Sequence, residues 1–313
     1  MIGRIVEISN NNRYLSVYRG FLLVKSLGEE ASELGRIPLD DILAVVTNAH
    51  GLSYSNNLLV SLLERDIPLV ITSDKYAPMG ILWPVESHHL QAKRMDAQIG
   101  ASLPLKKSLW AQVVREKIRQ QSLLLHHLGL PSSRLDRLAK EVKSGDPDNK
   151  EAMAARIYWT SIFGSNFLRN REAPGINALL NYGYTIIRSA TARAVMAAGL
   201  HPSIGIHHKN ASDAMRLVDD LMEPFRPLVD LMVFSLTKEN PSAEWSISTE
   251  IKRKLVSILF WNVLFEEDQC PVMVAMQRLA LSLSQVYLKE RVRLAFPKSF
   301  EYRKDMAEDD FGI

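Results

Sequence analysis

Two carboxylates that follow a histidine are the residues of this 313-residue chain best suited to chemistry. Asp220 and Glu223 lie three residues apart in a segment with helical apolar spacing, which places both on one face of a helix. Like charges so placed repel by roughly 0.2–0.5 kcal/mol, and a bound cation would remove that repulsion. Asp219, four residues before Glu223, competes for the same face. The alternative is that all three acids only wet the polar side of an amphipathic helix.

The histidine ahead of these acids belongs to an adjacent pair. The chain has eight histidines, and six of them form pairs at 88–89, 126–127 and 207–208. Neighbours on a helix diverge by about 100°, so at most one histidine of a pair faces a given site. His208 is therefore a candidate ligand with His207 as its rival, whereas the other histidines, including His50 and His201, are expected to be solvated or capping residues.

A third acid stands upstream, in the segment GDPDNKEAMAARIYW (145–159). Asp146 or Asp148 is suited to open a helix there, and Glu151 falls in its first turns. Glu151 could simply interact with the positive end of that helix. Alternatively, two glutamates and a histidine suit a hard divalent cation, because carboxylate and imidazole ligands fit magnesium or manganese and leave positions open for phosphate oxygens.

The sequence motifs of several common enzyme classes are absent, which narrows the range of reactions that the chain could catalyse. The sequence contains no GxxxxGK[ST], GxGxxG after a strand, HExxH or GxSxG, which disfavours nucleotide hydrolysis, dinucleotide redox chemistry, zinc proteolysis and serine hydrolysis. Cys270 is the single cysteine, so intramolecular disulfides, thiolate zinc sites and iron–sulfur clusters are excluded. The cysteine count, the lack of a secretory leader pattern and the lack of an apolar run of roughly 18 residues favour a cytoplasmic protein without a membrane segment.

The formal net charge is only +3, but the charged residues are unevenly distributed along the chain. Residues 1–50 hold five basic and six acidic side chains, whereas residues 104–144 hold nine basic and three acidic ones. A basic middle segment is either a footprint for a polyanion such as DNA or a solvated helix face. Hydrophobic residues make up 47% of the chain, which is enough for two cores.

The pattern of apolar residues changes near residues 84–88 and divides the chain into two parts. Short β-branched and aromatic runs before that point predict strands, with a tight hairpin at Arg19-Gly20 and one helix at about 53–64. Beyond it, apolar residues at three- and four-residue intervals predict helices. These are expected at 105–128, 133–142, 149–163, 176–198, 212–236 (capped by Ser212 and kinked or broken at Pro224 and Pro227), 247–265 and 272–294. We therefore predict an α+β fold, with a small β-rich domain at 1–84 and a larger all-α domain at 85–313.

Three helical segments together resemble one protein family. The segments are residues 145–159, GINALLNYGYTIIRSATARAVMAAGLHPSIGIHH (175–208) and LVDDLMEPFRPLVD (217–230). In this order and spacing they are similar to Cas1, the CRISPR-associated integrase and endonuclease of spacer acquisition. Residues 50–82 resemble the end of that family's β domain, and LKKSLWAQVVREKIRQQ (105–121) resembles its first long helix. The compact length and DLMEPFRP are most similar to the versions that accompany type II systems.

The resemblance implies roles for individual residues. It places the family's metal ligands on Glu151, His208 and Glu223, for Mg²⁺ or Mn²⁺, with Asp220 as a further catalytic acid beside them or at a second metal. Two features depart from the family pattern. Many members carry a hydrophobic residue where this chain has His207, and KNASDAMR (209–216) lacks a Gly-Arg that members often place there.

The activity implied is insertion of short foreign DNA fragments, the spacers, into a CRISPR array. The fragment's 3′-hydroxyl attacks a phosphodiester of the repeat, and with water the same site nicks DNA. The expected partners are the double-stranded fragment, the repeat, a second copy of the chain through the β-rich domain, the smaller protein Cas2 bridging two dimers, and the type II effector nuclease. In this reading, phosphates would be held by Lys106, Lys107, Arg115 and Lys117 in the basic segment.

Two other functions are compatible with the residues. One is a non-catalytic basic DNA-binding scaffold that assembles other proteins. The other is an all-helical metal phosphohydrolase, suggested by His207-His208 and Asp219-Asp220, although such sites usually need several histidines and a His-Asp dyad in sequence.

Overall fold

The architecture changes from strands to helices along the chain. The structure is a computed structural model that describes residues 4–28, 32–49, 51–65, 67–72, 78–82, 84, 90–170, 172–239 and 245–300. Strands dominate up to residue 82 and helices from residue 91 onward, which confirms the predicted α+β class. Buried apolar side chains form two separate clusters, one in each part, as the composition predicts.

The first part contains two four-stranded sheets. One sheet consists, in spatial order, of β1 (Arg4–Ile8), β5 (Ile42–Thr47), β7 (Leu69–Thr72) and β8 (Pro78–Leu82), with only β8 antiparallel to its neighbour. The other consists of β4 (Glu33–Pro38), β3 (Phe21–Ser26), β2 (Arg13–Tyr18) and β6 (Leu52–Tyr54). The sequence pattern did not predict β4, because most of its residues are exposed and show no apolar alternation.

Two local predictions in this part are confirmed. Arg19 and Gly20 have φ angles of 48° and 80° and join β2 to β3, which is the left-handed geometry that a two-residue hairpin requires. The helix α1 (Asn56–Leu63) begins at Ser55, whose hydroxyl accepts a hydrogen bond from Leu58 N at 3.2 Å.

The second part is built on long helices. Four predicted helices appear within two residues at each end, as α3 (Leu103–His127), α4 (Ser133–Glu141), α5 (Lys150–Phe163) and α6 (Ile176–Ala197). The helix predicted at 272–294 is α10 (Val272–Tyr287), so the last seven residues of that prediction are wrong. The helix α2 (Gln91–Ile99), which precedes α3, was not predicted.

The predicted helix at 212–236 is broken, and the predicted cap is wrong. It consists of α7 (Arg216–Met222), a 3₁₀ turn (Glu223–Phe225) and α8 (Arg226–Glu239). Each proline lies in the first positions of its new turn, where its missing N–H leaves no hydrogen bond unmade. Ser212 does not cap α7, since its N–H and hydroxyl both donate to Asn210 Oδ1 in the preceding turn.

The helical part also contains a small three-stranded sheet, so it is mostly helical and not all-α as predicted. The predicted helix at 247–265 is wrong in its second half: α9 (Thr249–Ser257) ends in a 3₁₀ turn (Ile258–Phe260), and β9 (Asn262–Phe265) follows. This strand pairs with β10 (Asp268–Pro271) and β11 (Pro297–Phe300). A short apolar run fits a strand and a buried helix equally well, so periodicity could not separate them.

Glu7 joins the two parts of the chain. Its carboxylate accepts hydrogen bonds from Tyr182 Oη at 2.7 Å and Lys252 Nζ at 2.8 Å, so a strand of the first sheet is tied to α6 and α9. Inside the helical part, Gly183 lets α8 approach α6, because a Cβ at this position would lie 2.4 Å from Val229 Cγ1.

Several predictions lie outside the described residues. They concern His50, the pair His88-His89 and the boundary residues 85–88. The division into domains 1–84 and 85–313 stays a prediction. No helix within the described ranges is both long enough and apolar enough to span a bilayer.

Replacing Glu7 tests the junction between the two parts. We expect Glu7→Ala to lower the free energy of unfolding by about 2 kcal/mol, because Tyr182 and Lys252 both lose a partly buried acceptor. The measurement is urea denaturation. The control is Glu33→Ala, which removes an exposed ion pair with Arg36 within β4 and is expected to cost less than about 0.5 kcal/mol. Equal losses in both variants would contradict the role of Glu7.

Candidate functional site

Glu151 lies in the first turn of α5, and the preceding loop fixes that turn. Asn149, with a φ angle of 51°, is the capping residue and accepts a hydrogen bond from Ala152 N. Asp146 accepts hydrogen bonds from Lys150 N at 2.9 Å and Glu151 N at 3.0 Å. Because these hydrogen bonds satisfy free N–H groups of the first turn, they hold the backbone of Glu151 in place. Of the two aspartates predicted to open this helix, Asp146 is the one that bonds to its first turn.

Glu223 lies in the 3₁₀ turn that separates α7 from α8. It is 5% exposed, and its Oε1 accepts a hydrogen bond from Arg226 Nε at 2.9 Å. Its Oε2 is 2.6 Å from Lys117 Nζ but lacks hydrogen-bond geometry, and in the described part of the molecule this buried oxygen has no hydrogen-bond partner. Burial favours the neutral acid, yet Arg226 and Lys117 outweigh it and lower the pKa of Glu223 to about 2.

Lys117 of α3 joins the two glutamates. Its Nζ lies 2.6 Å from Glu151 Oε1 and 2.6 Å from Glu223 Oε2. Burial disfavours the ammonium form, but the two carboxylates reverse that effect and raise the pKa of Lys117 above its ordinary value. Lys117 therefore lies inside the acidic cluster and is not a freely solvated member of the basic segment with which the sequence pattern grouped it.

Asp220 faces His208 and not Glu223. It is fully buried, and its Oδ2 accepts hydrogen bonds from Ile206 N at 2.6 Å and His207 N at 3.0 Å. Its Oδ1 lies 2.6 Å from His208 Nδ1, and this hydrogen bond is the main cause of the raised pKa of His208. With the Nδ1 proton donated to Asp220, Nε2 of His208 is the nitrogen left to act as a ligand.

The two histidines of the pair have different surroundings. His207 stacks on Trp110, with ring centroids 4.2 Å apart and planes inclined by 3°. His208 meets the same indole edge-on at 5.8 Å. Trp110 and Lys117 are seven residues apart on α3, two helical turns, so one face of this helix serves both the histidines and the glutamates. Sequence reasoning missed both roles, although that spacing was visible in the sequence.

Asp219 is engaged elsewhere. Both of its oxygens accept hydrogen bonds from Arg188, at 2.6 and 2.8 Å, and Arg188 also contacts Asp213. This fork-shaped contact uses the whole carboxylate. Asp219 is therefore held by Arg188, whereas Asp220 is held by His208 and two backbone N–H groups.

A buried polar network lies behind Arg226. The guanidinium of Arg226 stands over the ring of Tyr184 at 4.6 Å, and Tyr184 and Tyr158 both donate hydrogen bonds to Asp230. Burial raises the pKa of Asp230 to about 6, although the two hydroxyls oppose that shift. The network orients the arginine that holds Glu223.

A basic cavity of about 360 Å³ opens beside His208. Lys106, Lys209 and Arg216 line it together with both histidines, and no carboxylate is found among its described lining residues. Arg216 Nε is buried and has no hydrogen-bond partner in the described structure. Of the predicted DNA-binding residues only Lys106 lines this cavity. Lys107 is exposed, and Arg115 is exposed with its guanidinium donating to Val142 O at 3.0 Å.

The predicted metal ligands are only partly brought together. Among the residues that the structure covers, no three histidine, cysteine, aspartate or glutamate side chains form a group that could hold a metal ion as they stand. Glu151 and Glu223 nevertheless present one oxygen each to a single cation position, which Lys117 Nζ fills. Two carboxylate oxygens, one of them without a hydrogen bond, and a histidine with a defined Nδ1 contact are donors suited to Mg²⁺ or Mn²⁺.

A family model and a curated relative both match this chain over most of its length. The sequence model of the family described as CRISPR associated protein Cas1 matches residues 6–245. The CRISPR-associated endonuclease Cas1 of Neisseria meningitidis serogroup C (strain 8013) is 33% identical over 284 residues, which cover 90% of this chain and 91% of that protein.

Solved structures share the fold. A casposase bound to an integration product superposes with a TM-score of 0.80 at 20% identity, covering 98% of this chain and 96% of that one. A Cas6-RT-Cas1–Cas2 complex gives a TM-score of 0.70 at 20% identity, covering 92% of this chain and 35% of that chain.

Asp230 makes stability depend on pH in a predictable direction. Its pKa rises from 3.8 in the unfolded chain to about 6 on folding, so its contribution to stability is fully present below pH 3.8 and is lost as pH rises through 6. Relative to Asp230→Asn, the wild type should therefore lose about 2 kcal/mol between pH 4 and pH 8, most of it below pH 6. Denaturant unfolding at several pH values measures this difference. A constant difference between the two proteins across that range would show that Asp230 keeps an ordinary pKa.

Proposed function

Because this chain belongs to the Cas1 family of CRISPR-associated proteins, we propose that it is a metal-dependent DNA integrase and endonuclease that inserts spacers into a CRISPR array. The observation that carries the proposal is the convergence of Glu151 and Glu223 on one cation position, with His208 held by Asp220 nearby. A divalent cation held between carboxylates would stabilise the attacking and leaving oxygens of a phosphodiester.

Glu151, Glu223 and His208 Nε2 are the groups that would hold Mg²⁺ or Mn²⁺. The ion would supply a Lewis acid that stabilises negative charge on phosphate oxygens. The protein's own residues fix the ligands: Arg226 holds one oxygen of Glu223, the loop at Asp146 fixes Glu151, and Asp220 keeps a proton on His208 Nδ1.

The reaction is a transesterification. The 3′-hydroxyl oxygen of the fragment forms a bond to a phosphorus of the repeat, and its proton passes to solvent. The bond from that phosphorus to the 3′-oxygen of the repeat strand breaks, and the released oxygen takes up a proton. When water replaces the hydroxyl, the same bonds change and the product is a nick. Trp110 and the polar network behind Arg226 keep the histidines and Glu223 in place during these steps.

Lys106, Lys209 and Arg216 are the groups we assign to phosphate binding next to the reaction. They surround a basic cavity that His208 also lines, and no described carboxylate competes there. Lysine and arginine side chains attract the DNA backbone independently of sequence. We keep Lys107 and Arg115 as further phosphate contacts, since both are exposed, and assign Lys117 to the acidic cluster.

We further propose that the chain works in an assembly. Joining both ends of one fragment to two strands needs two active sites, and a homodimer through the β-rich part would supply a second copy of the site. A solved Cas6-RT-Cas1–Cas2 complex, part of one chain of which shares this fold, supports Cas2 as a partner, and we expect it to bridge two dimers. The casposase bound to an integration product supports integration as the reaction. The type II effector nuclease completes the set of partners.

The competing functions have less support in the structure. An all-helical phosphohydrolase would use the pairs His207-His208 and Asp219-Asp220, yet His207 stacks on Trp110 and Asp219 is occupied by Arg188. A non-catalytic scaffold gives no reason for two glutamates to share one buried cation.

Replacing either glutamate tests the catalytic proposal. Glu151→Gln and Glu223→Gln should each reduce strand transfer of a labelled duplex into a supercoiled repeat target with Mn²⁺ by at least about 100-fold, because the cation site loses a charged ligand. Glu141→Gln, which removes an exposed partner of Lys150, should act like the wild type. Undiminished transfer in both site variants would refute the site, and DNA binding without any metal-dependent product would favour the scaffold.

A salt titration tests the basic cavity. Replacing Lys106, Lys209 and Arg216 together by methionine should lower the slope of log K for DNA binding against log salt by about two to three, roughly one per lost phosphate contact. Fluorescence anisotropy at a series of NaCl concentrations gives the slope. Arg137→Met with Lys140→Met removes charge from α4 in the same basic segment and should change the slope by less than about 0.5. Equal changes would mean that the segment acts only through its total charge.

A further inference from the structure

Lys117 occupies the position where the two glutamates would hold a cation. Its ammonium is 2.6 Å from an oxygen of each carboxylate, and its side chain is only 13% exposed. The lysine and the glutamates come from α3, α5 and the 3₁₀ turn before α8, so the contact arises from folding and not from local sequence. An ordinary surface ion pair would be exposed and would involve one partner.

The contact has a clear electrostatic reason. Without a cation, Glu151 and Glu223 would place two negative charges close together, one of them on a nearly buried side chain. Repulsion and desolvation would then drive the carboxylates apart or protonate one of them. The ammonium removes both costs and leaves Glu223 ionised.

The ammonium of Lys117 can leave this contact without a change in the position of α3. The backbone of α3 is held by fully buried neighbours of Lys117, among them Val113, Val114 and Ile118. The ammonium, in contrast, is carried on a flexible four-carbon stem that can move without moving the helix. A divalent cation between the same oxygens would repel the ammonium, so the two cations exclude each other.

We propose that Lys117 is an internal counter-ion that holds Glu151 and Glu223 in place in the metal-free protein and is displaced when a divalent cation binds. This inference rests on the proposed function, because it takes the two glutamates as the metal ligands. Lys117 is a positioning residue in this scheme. It competes with the metal, lowers the metal affinity and stabilises the metal-free fold.

Metal affinity is the direct test. Titration calorimetry of the full chain with Mn²⁺ alone should give a dissociation constant about tenfold or more lower for Lys117→Met than for the wild type, because the competing cation is gone. Lys140→Met removes the same charge from α4 and should stay within about twofold. Equal or weaker Mn²⁺ binding by Lys117→Met would overturn the proposal.

Stability without metal gives an independent readout. In chelator, Lys117→Met should unfold at a lower temperature than the wild type, and adding Glu151→Gln should restore part of the loss because one of the two repelling charges is removed. Saturating Mn²⁺ should raise the midpoint of Lys117→Met more than that of the wild type. Lys117→Gln, which keeps a neutral donor, covers the case in which the methionine variant does not fold, and it must also bind Mn²⁺ more tightly.

The outcomes separate the two proposals. If Glu151→Gln and Glu223→Gln bind Mn²⁺ as the wild type does, the glutamates are not the ligands and the proposed function loses its metal site. If those variants lose Mn²⁺ binding while the Lys117 variants match the wild type, only the role of Lys117 is refuted.

Discussion

The buried charge of Glu223 is the constraint on which the rest of the site depends. A carboxylate that is only 5% exposed stays ionised only when cations surround it. Arg226 and Lys117 meet that need from opposite ends of the carboxylate. Arg226 is in turn placed by its contact with the ring of Tyr184, and Lys117 extends from a helix with many fully buried apolar residues.

The helix α3 organises this arrangement. One of its faces brings Trp110 to the histidines and Lys117 to the glutamates, two turns apart. The break between α7 and α8 has the complementary task. It turns Glu223 away from Asp220, so that one acid holds the histidine while the other faces the cation position. Asp219, Asp220 and Glu223, which the sequence pattern assigned to a single helix, therefore lie in three different environments.

Much of the fold could be predicted because its signals are local. Apolar periodicity located α3, α5 and α6 closely, and the Arg19-Gly20 pair between two strand patterns located the β2–β3 hairpin. The errors have local causes as well. Ser212 hydrogen-bonds to Asn210 and so does not cap the helix. The short apolar run of β9 fits a strand and a helix equally well. The edge strand β4 is too exposed to show a pattern.

The sequence by itself determined the residue types, their order along the chain and the family they resemble, because these are properties of the linear pattern. It left open which histidine and which aspartate belong to the site. Only the tertiary structure decided that Asp220 holds His208, that Asp219 belongs to Arg188 and that Lys117 joins Glu151 to Glu223. The reason is physical: ion pairs act over a few ångströms, and Lys117 and Glu151, 34 residues apart, come within that range only when α3 packs against α5.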